Sequence, residues 1–351
     1  MRLALILLMF LTFDVPIASA CYWDRDTLQM ERQRFPSVLD LLTGHFVRHS
    51  DAFYRWRISD RTQRLAQEGH RTEWVDDLAV ARDQLGEHAE AIALMETLAE
   101  REPERYETQA NLGTFRIHAG EWAAGLIHIQ KAIAINPDAH FGREIIQQRL
   151  VEYALRRRAA GHRGLPLADG SCEPAIDRVI AKMADYERQT PPPSDEWMCA
   201  GFNGTYGFAT AVREANPPIE LAAAIRGVAG MMRFSNHESP VLLEALGDLL
   251  LGNRNRQQDA KQLAARAYLK ASYVSQEPAS AQRYRAKAIL ALVGHRRPNL
   301  LRLERRFRRE SARGVRWFER ISRRERRWIE AGRDVDAAFE RAYYRRGAPR
   351  R

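Results

Sequence analysis

The sequence is short of the features that most often name a function. It has three cysteines in 351 residues, too few to build a disulfide-stapled scaffold. No stretch beyond the N-terminus approaches the apolar length of a membrane-spanning helix, and the N-terminal one is itself too short. A phosphate loop, a dinucleotide fingerprint, a nucleophile motif and carboxylates paired at a diagnostic spacing are all missing, so neither an enzyme class nor a cofactor is indicated. Lysine is absent from the last segment: from His295 onward 20 Arg face 8 acidic residues, net +12, which leaves residues 1–294 at −2. The basicity belongs to the tail.

What is present is the composition of a folded protein, 45% apolar and 28% charged, on a chain long enough for a sizeable core. Residues 1–20 read as an export signal, with Arg2 as the positive start, Leu3 to Phe13 as the apolar core and Ala18-Ser19-Ala20 as the cleavage site. Cleavage there would expose Cys21. That placement resembles the bacterial lipoprotein pattern and makes Cys21 a candidate lipid attachment site, although Ala18 stands where the pattern prefers Leu and ordinary cleavage fits as well. With Cys21 set aside, Cys172 and Cys199 form an even pair in an exported chain, readable as a disulfide or as two separate buried thiols.

The stretch from Thr72 to Pro137 says nearly the same thing twice. Gly86 and Gly120 are 34 residues apart, as are Pro103 and Pro137. Between each Gly and its Pro lies an apolar ladder, Ala91/Met95/Leu98 and then Gly125/Ile129/Ala132, at the spacing of one helical face. Ahead of each Gly stands Leu78-Ala79 or Leu112-Gly113, small where two helices must approach. This resembles the tetratricopeptide (TPR) repeat, a helix-turn-helix unit of about 34 residues. The resemblance implies an all-α, TPR-type helical solenoid with capping helices and a basic C-terminal helix. It also implies an inner groove that binds a peptide or protein segment.

The rest of the chain is placed by helical periodicity. Residues 21–71 hold capping helices, with Pro36 suited to a first turn and Gly44 to a break; 72–160 hold the two repeats and a further helix from Phe141 to Gly161. Residues 161–236 form a connector in which a short helix, about Pro174 to Tyr186, precedes the stiff Pro191-Pro192-Pro193. Residues 237–294 carry a degenerate repeat, with Leu246-Gly247 and Ala264/Tyr268/Ala271, and a capping helix from Ala279 to Leu292. Residues 295–351 are an Arg-rich amphipathic tail in which Gly314 and Gly332 are the expected weak points. His45 and His49 would share a helix face, but no third ligand is evident, so no metal site is expected.

The first helices of the two repeats offer Glu73, Asp76, Asp77, Val80, Asp83, Thr114, Ile117 and His118 as the groove. Their acidity favours a basic segment, and one such segment is the chain's own tail, docked there within one chain or between two. The Lys and Asn of a carboxylate clamp are absent, since Asp76 and Val80 stand at those places. In the tail, Arg305, Arg309, Arg316, Trp317, Arg324 and Trp328 suit contact with an anionic surface, unless the apolar stripe simply packs on the solenoid. The leading expectation is an exported adaptor for protein or peptide ligands in the periplasm or at a membrane, with no cofactor and no enzymatic role. The alternative is a peripheral protein that binds membrane or anionic polymer through its tail; nucleic acid is not the expected partner.

Overall fold

The structure, a computed structural model, describes residues 35–137, 139–162, 164–167, 173–189, 207–252, 258–294 and 299–344. Among these residues there are helices and no strands, in agreement with the all-α expectation. The expected signal segment, Cys21, Cys172, Cys199 and the triple proline lie outside them.

The first helix, α1 (Val38–Thr43), is set by its ends. Ser37 Oγ accepts from Asp40 N–H while Asp40 Oδ2 accepts from Ser37 N–H, both at 3.1 Å, and Gly44 closes the helix at φ 70°. This reciprocal pairing satisfies two donors that a helix start leaves open. There follow α2 (Asp51–Glu68), α3 (Thr72–Gln84), α4 (His88–Arg101), α5 (Tyr106–His118), α6 (Trp122–Ile135) and α7 (Arg143–Ala159), each packed against the next, with α3 also touching α5.

The turns inside the two repeated hairpins match bond for bond. Gly86 N–H donates to Asp83 O and Glu87 N–H to Arg82 O; 34 residues on, Gly120 N–H donates to Ile117 O and Glu121 N–H to Arg116 O. Gly86 and Gly120 take φ 81° and 84°, a left-handed conformation that a side chain would strain. Ion pairs brace both turns, Arg82–Glu87 at 2.7 Å and Arg116–Glu121. Small residues then permit the close helix crossing: a Cβ on Gly125 would meet the Gly113 carbonyl and the Ile117 side chain.

Beyond α7 come α8 (Glu173–Ala181), α9 (Met183–Arg188), α10 (Gly207–Arg213), α11 (Leu221–Phe234), α12 (Pro240–Gly252), α13 (Gln258–Val274) and α14 (Pro278–Ala291). The single helix expected near Pro174 to Tyr186 is two, interrupted at Lys182. α11 packs on α7, and α11 to α14 stack in order, so the layered arrangement continues. Its core buries Leu242, Leu246, Leu249, Leu269 and Ile289. Among them lies a charged knot: Lys287 Nζ donates to Glu244 at 2.7 Å and Asp248 at 3.0 Å, and Tyr284 and Tyr268 donate to the same two carboxylates.

The 31-residue α15 (Leu300–Glu330), about 46 Å long, then returns across α9, α13, α1 and α2. It turns Leu300, Leu303, Phe307 and Ile321 inward and leaves Arg305, Arg309, Arg316 and Arg324 exposed. Gly314, expected as a weak point, lies inside the unbroken helix; a Cβ there would overlap the Thr43 carbonyl, so the residue is what lets α15 cross the end of α1. Gly332 does end the helix, at φ 60°. A short α16 (Val335–Phe339) follows and delivers Asp336 to Arg57 at 2.7 Å and to Arg61, which also holds Asp77 at 2.8 Å. Glu325 likewise meets His49 at 2.7 Å and the backbone N–H of Ser50 at 3.0 Å. The expected docking of tail arginines onto Glu73, Asp76, Asp77 and Asp83 is therefore replaced by tail acids meeting basic side chains, His49, Arg57 and Arg61, at and just before α2.

Two substitutions and one control test this closure. Gly314→Ala should destabilise the protein by about 1–3 kcal/mol through overpacking against a backbone carbonyl. Gly164→Ala, where nothing lies within 4 Å, should change stability by no more than about 0.5 kcal/mol. Asp336→Ala, which removes the carboxylate that buried Arg57 and Arg61 share, should cost about 3–5 kcal/mol. Urea unfolding of the three variants beside the parent chain measures all of these.

Candidate functional site

A cleft of 570 Å³ opens where the ends of the repeat helices face the return path of the chain. Arg48, His49, Asp51 and Tyr54 line it from the start of α2, and Asp83, Gln84, Gly86, His88 and His118 from the ends of α3, α4 and α5. Ser235 to Glu238, between α11 and α12, and Phe318 of α15 complete it. Gln84 Nε2 donates across to the Phe234 carbonyl at 3.3 Å, tying the two sides. A volume of this size suits a small molecule or a few residues of a peptide.

The centre of one wall is Asp83. Its carboxylate is completely shielded, and its two oxygens meet Nδ1 of His88 and Nδ1 of His118, each at 2.6 Å. Burial alone would raise the Asp83 carboxyl; the charges and hydrogen bonds of His118 and His88 outweigh it and hold the group below the usual carboxylate range. The Asp83 hydrogen bond raises His88 above an ordinary imidazole against the opposing effect of burial. Asp83, His88 and His118 are the one group among the described residues with the composition and proximity to hold a metal ion, with one donor atom from each within 4.8 Å of the others.

Other basic groups at the cleft are shielded, and Lys270 joins them through its pair with the lining residue Glu238. The Arg48 guanidinium lies 3.7 Å from the Phe318 ring centre and donates to Gly44 O at 2.7 Å; burial lowers it to about 10. His237, edge-on to Phe46 at 5.1 Å, is pushed well below 6.5 by burial and then by Lys270 and Arg48, so its ring is neutral at pH 7. Lys270 meets Glu238 at 3.3 Å, yet burial outweighs that partner and lowers the ammonium to about 8. His49 stacks on Phe53 at 3.5 Å.

Of the residues expected in a peptide groove, only Asp83 and His118 reach this cleft. Asp76 is buried and bound twice by Arg105, at 2.6 and 3.0 Å, and Asp77 is buried on Arg61. Val80, Thr114 and Ile117 are buried among packed helices, and Glu73 is exposed at the start of α3. The open acidic face expected of these helices is thus compensated from within the chain, and the preference for a basic ligand loses its ground. Trp317 and Trp328 are half-buried rather than presented outward with the arginines. His45 and His49 part ways: His45 lies 3.6 Å from Asp40, while His49 serves Glu325.

Sequence reasoning missed His88, Arg48, His237 and Lys270. His88 carried a faint signal, five residues after Asp83 across a turn that the repeat had already located. No protein-family model, curated protein or solved structure matches this chain.

Lys270, paired with the cleft residue Glu238, gives the fold a pH signature. Its value falls from 10.5 in the unfolded chain to about 8 in the folded one, so between these values the unfolded state binds the extra proton and stability rises with pH. Lys270→Met should remove that contribution, on the order of 3 kcal/mol across the interval. Urea unfolding of parent and variant over pH 8 to 10.5 should show the flatter profile in the variant.

Proposed function

We propose that this protein is an exported helical-repeat adaptor of TPR-like construction that holds a short polar segment of a partner protein in its central cleft. Two lines support the repeat reading: the 34-residue spacing of the turns, and the matching hydrogen bonds that close them. The observation that carries the function is the cleft itself. It gathers Arg48, Asp51, Tyr54, Asp83, His88, His118, His237 and Glu238 from four separate parts of the chain into one accessible polar space. Polar groups of both signs at its walls favour a ligand with hydrogen-bonding and charged ends over an apolar one, since apolar contact would leave them unsatisfied. With the acids of α3 compensated internally, charge selection falls to the cleft.

The exposed arginines of α15 favour a second reading, contact with an anionic surface. Arg305, Arg309, Arg316 and Arg324 share the outer side of a helix whose apolar stripe is already buried. Attachment there would be electrostatic and salt-sensitive.

A photo-crosslinking amino acid at Tyr54, on the cleft, and separately at Arg309, on the outer face of α15, distinguishes the two in the native host. Protein adducts from Tyr54 that disappear with His237→Glu are the expected result. Adducts from Arg309 alone, together with salt-sensitive sedimentation on phosphatidylglycerol vesicles, would replace the adaptor reading with the second.

A further inference from the structure

Three side chains with metal-ligating chemistry converge on one wall of the cleft, though no metal motif marks them in the sequence. Asp83 stands in the last turn of α3, His88 opens α4 and His118 closes α5. Both imidazole Nδ1 atoms reach the same carboxylate at 2.6 Å, one on each oxygen. Exposure is graded across the trio: the side chains of Asp83 and His118 are 0% and 7% exposed, while that of His88 is 32% exposed and borders the cleft.

We propose that Asp83, His88 and His118 form a binding site for a divalent transition-metal cation of the Zn²⁺ class, open to the cleft. Two imidazoles and one carboxylate are the donors of open zinc sites, in which three protein ligands leave a coordination position for water or a bound group. The same set disfavours Mg²⁺ and Ca²⁺, which take oxygen donors almost throughout. A cation bonded at about 2.0–2.1 Å to each ligand needs donors roughly 3–3.5 Å apart. The three donor atoms already lie within 4.8 Å of one another, and rotation of the partly exposed His88 ring adjusts the trio without moving a helix. The backbone is set in advance by the Gly86 turn, whose bonds to Asp83 O and Arg82 O fix the start of α4 relative to the end of α3. The ion would take the place of the hydrogen bonds that the two rings now make to Asp83. A ligand entering the cleft could then complete the coordination shell. The site does not depend on the adaptor reading, because it requires only the trio and access from the cleft.

The test uses the full chain without an affinity tag, stripped with a chelator and dialysed. Calorimetric titration with Zn²⁺ should show one saturable equivalent. Co²⁺ in its place should give the visible absorption of a nitrogen-ligated, low-coordinate ion. His88→Asn and His118→Asn should each weaken Zn²⁺ binding on the order of 100-fold, the upper end of what losing even an outer partner of a metal ligand costs. Both should abolish the Co²⁺ spectrum. His45→Asn and His128→Asn, outside the trio, should leave binding and spectrum unchanged. Circular dichroism melts establish that each variant is folded; His88 is the most exposed of the trio, so its variant decides the matter if the others unfold. An absence of saturable Zn²⁺ binding would overturn the proposal, as would binding and a Co²⁺ spectrum that survive His88→Asn.

Discussion

The fold depends on a buried charge cluster that joins its two ends. Asp336, delivered by the last described helices, binds Arg57 and Arg61 of α2, and Arg61 carries on to Asp77 of α3. Arg57 and Arg61 are both within 2% of complete burial. Removing such charges from water is costly, and their mutual attraction repays that cost only when every partner is in place. The cluster therefore contributes less to net stability than to uniqueness: a tail docked elsewhere, or shifted by a turn, would take from two buried guanidinium groups the carboxylate they share. Glu325, bound to His49 and the Ser50 amide, repeats the constraint one step earlier along the same path.

That closure explains the character of α15. A helix with so many arginines could have been a free surface arm; here its apolar stripe is claimed by α1, α2, α9 and α13, and two of its acids, Glu304 and Glu325, are claimed by Arg285 and His49. Glu304 alone accepts from Arg285, Arg308 and Tyr273, and these partners outweigh its burial to hold it near 2. The arginines left over face water. Crossing α1 at Gly314 brings Phe318 to the cleft, so the return of the chain supplies a wall of the site as well as a strut of the fold.

The cleft in turn inherits its chemistry from where helices stop. Asp83, His88 and His118 are at helix ends, where a repeat must turn. The repeated turn was legible because glycine, proline and small residues recur at a fixed interval and each has a local physical cause. The polar trio was not, because only one of its pairs is close in sequence; His118 stands 35 residues from Asp83 and one hydrogen bond away in space. The acids of α3 misled for a related reason. A carboxylate on a helix looks the same in sequence whether water or Arg105 compensates it, and Arg105 lies 29 residues downstream of Asp76.

By itself the sequence determined the all-helical class, the 34-residue spacing with its glycine turns, and the two-faced nature of the tail, since all three follow from short-range periodicity and backbone conformational preference. Tertiary structure alone decided which acids are neutralised, where the tail docks, that Gly314 is a crossing point rather than a break, and that two histidines meet one aspartate. The pairs responsible, His49 with Glu325 and Arg57 with Asp336, are 276 and 279 residues apart. No local pattern encodes them; they form because burying one charge obliges the fold to bring its partner.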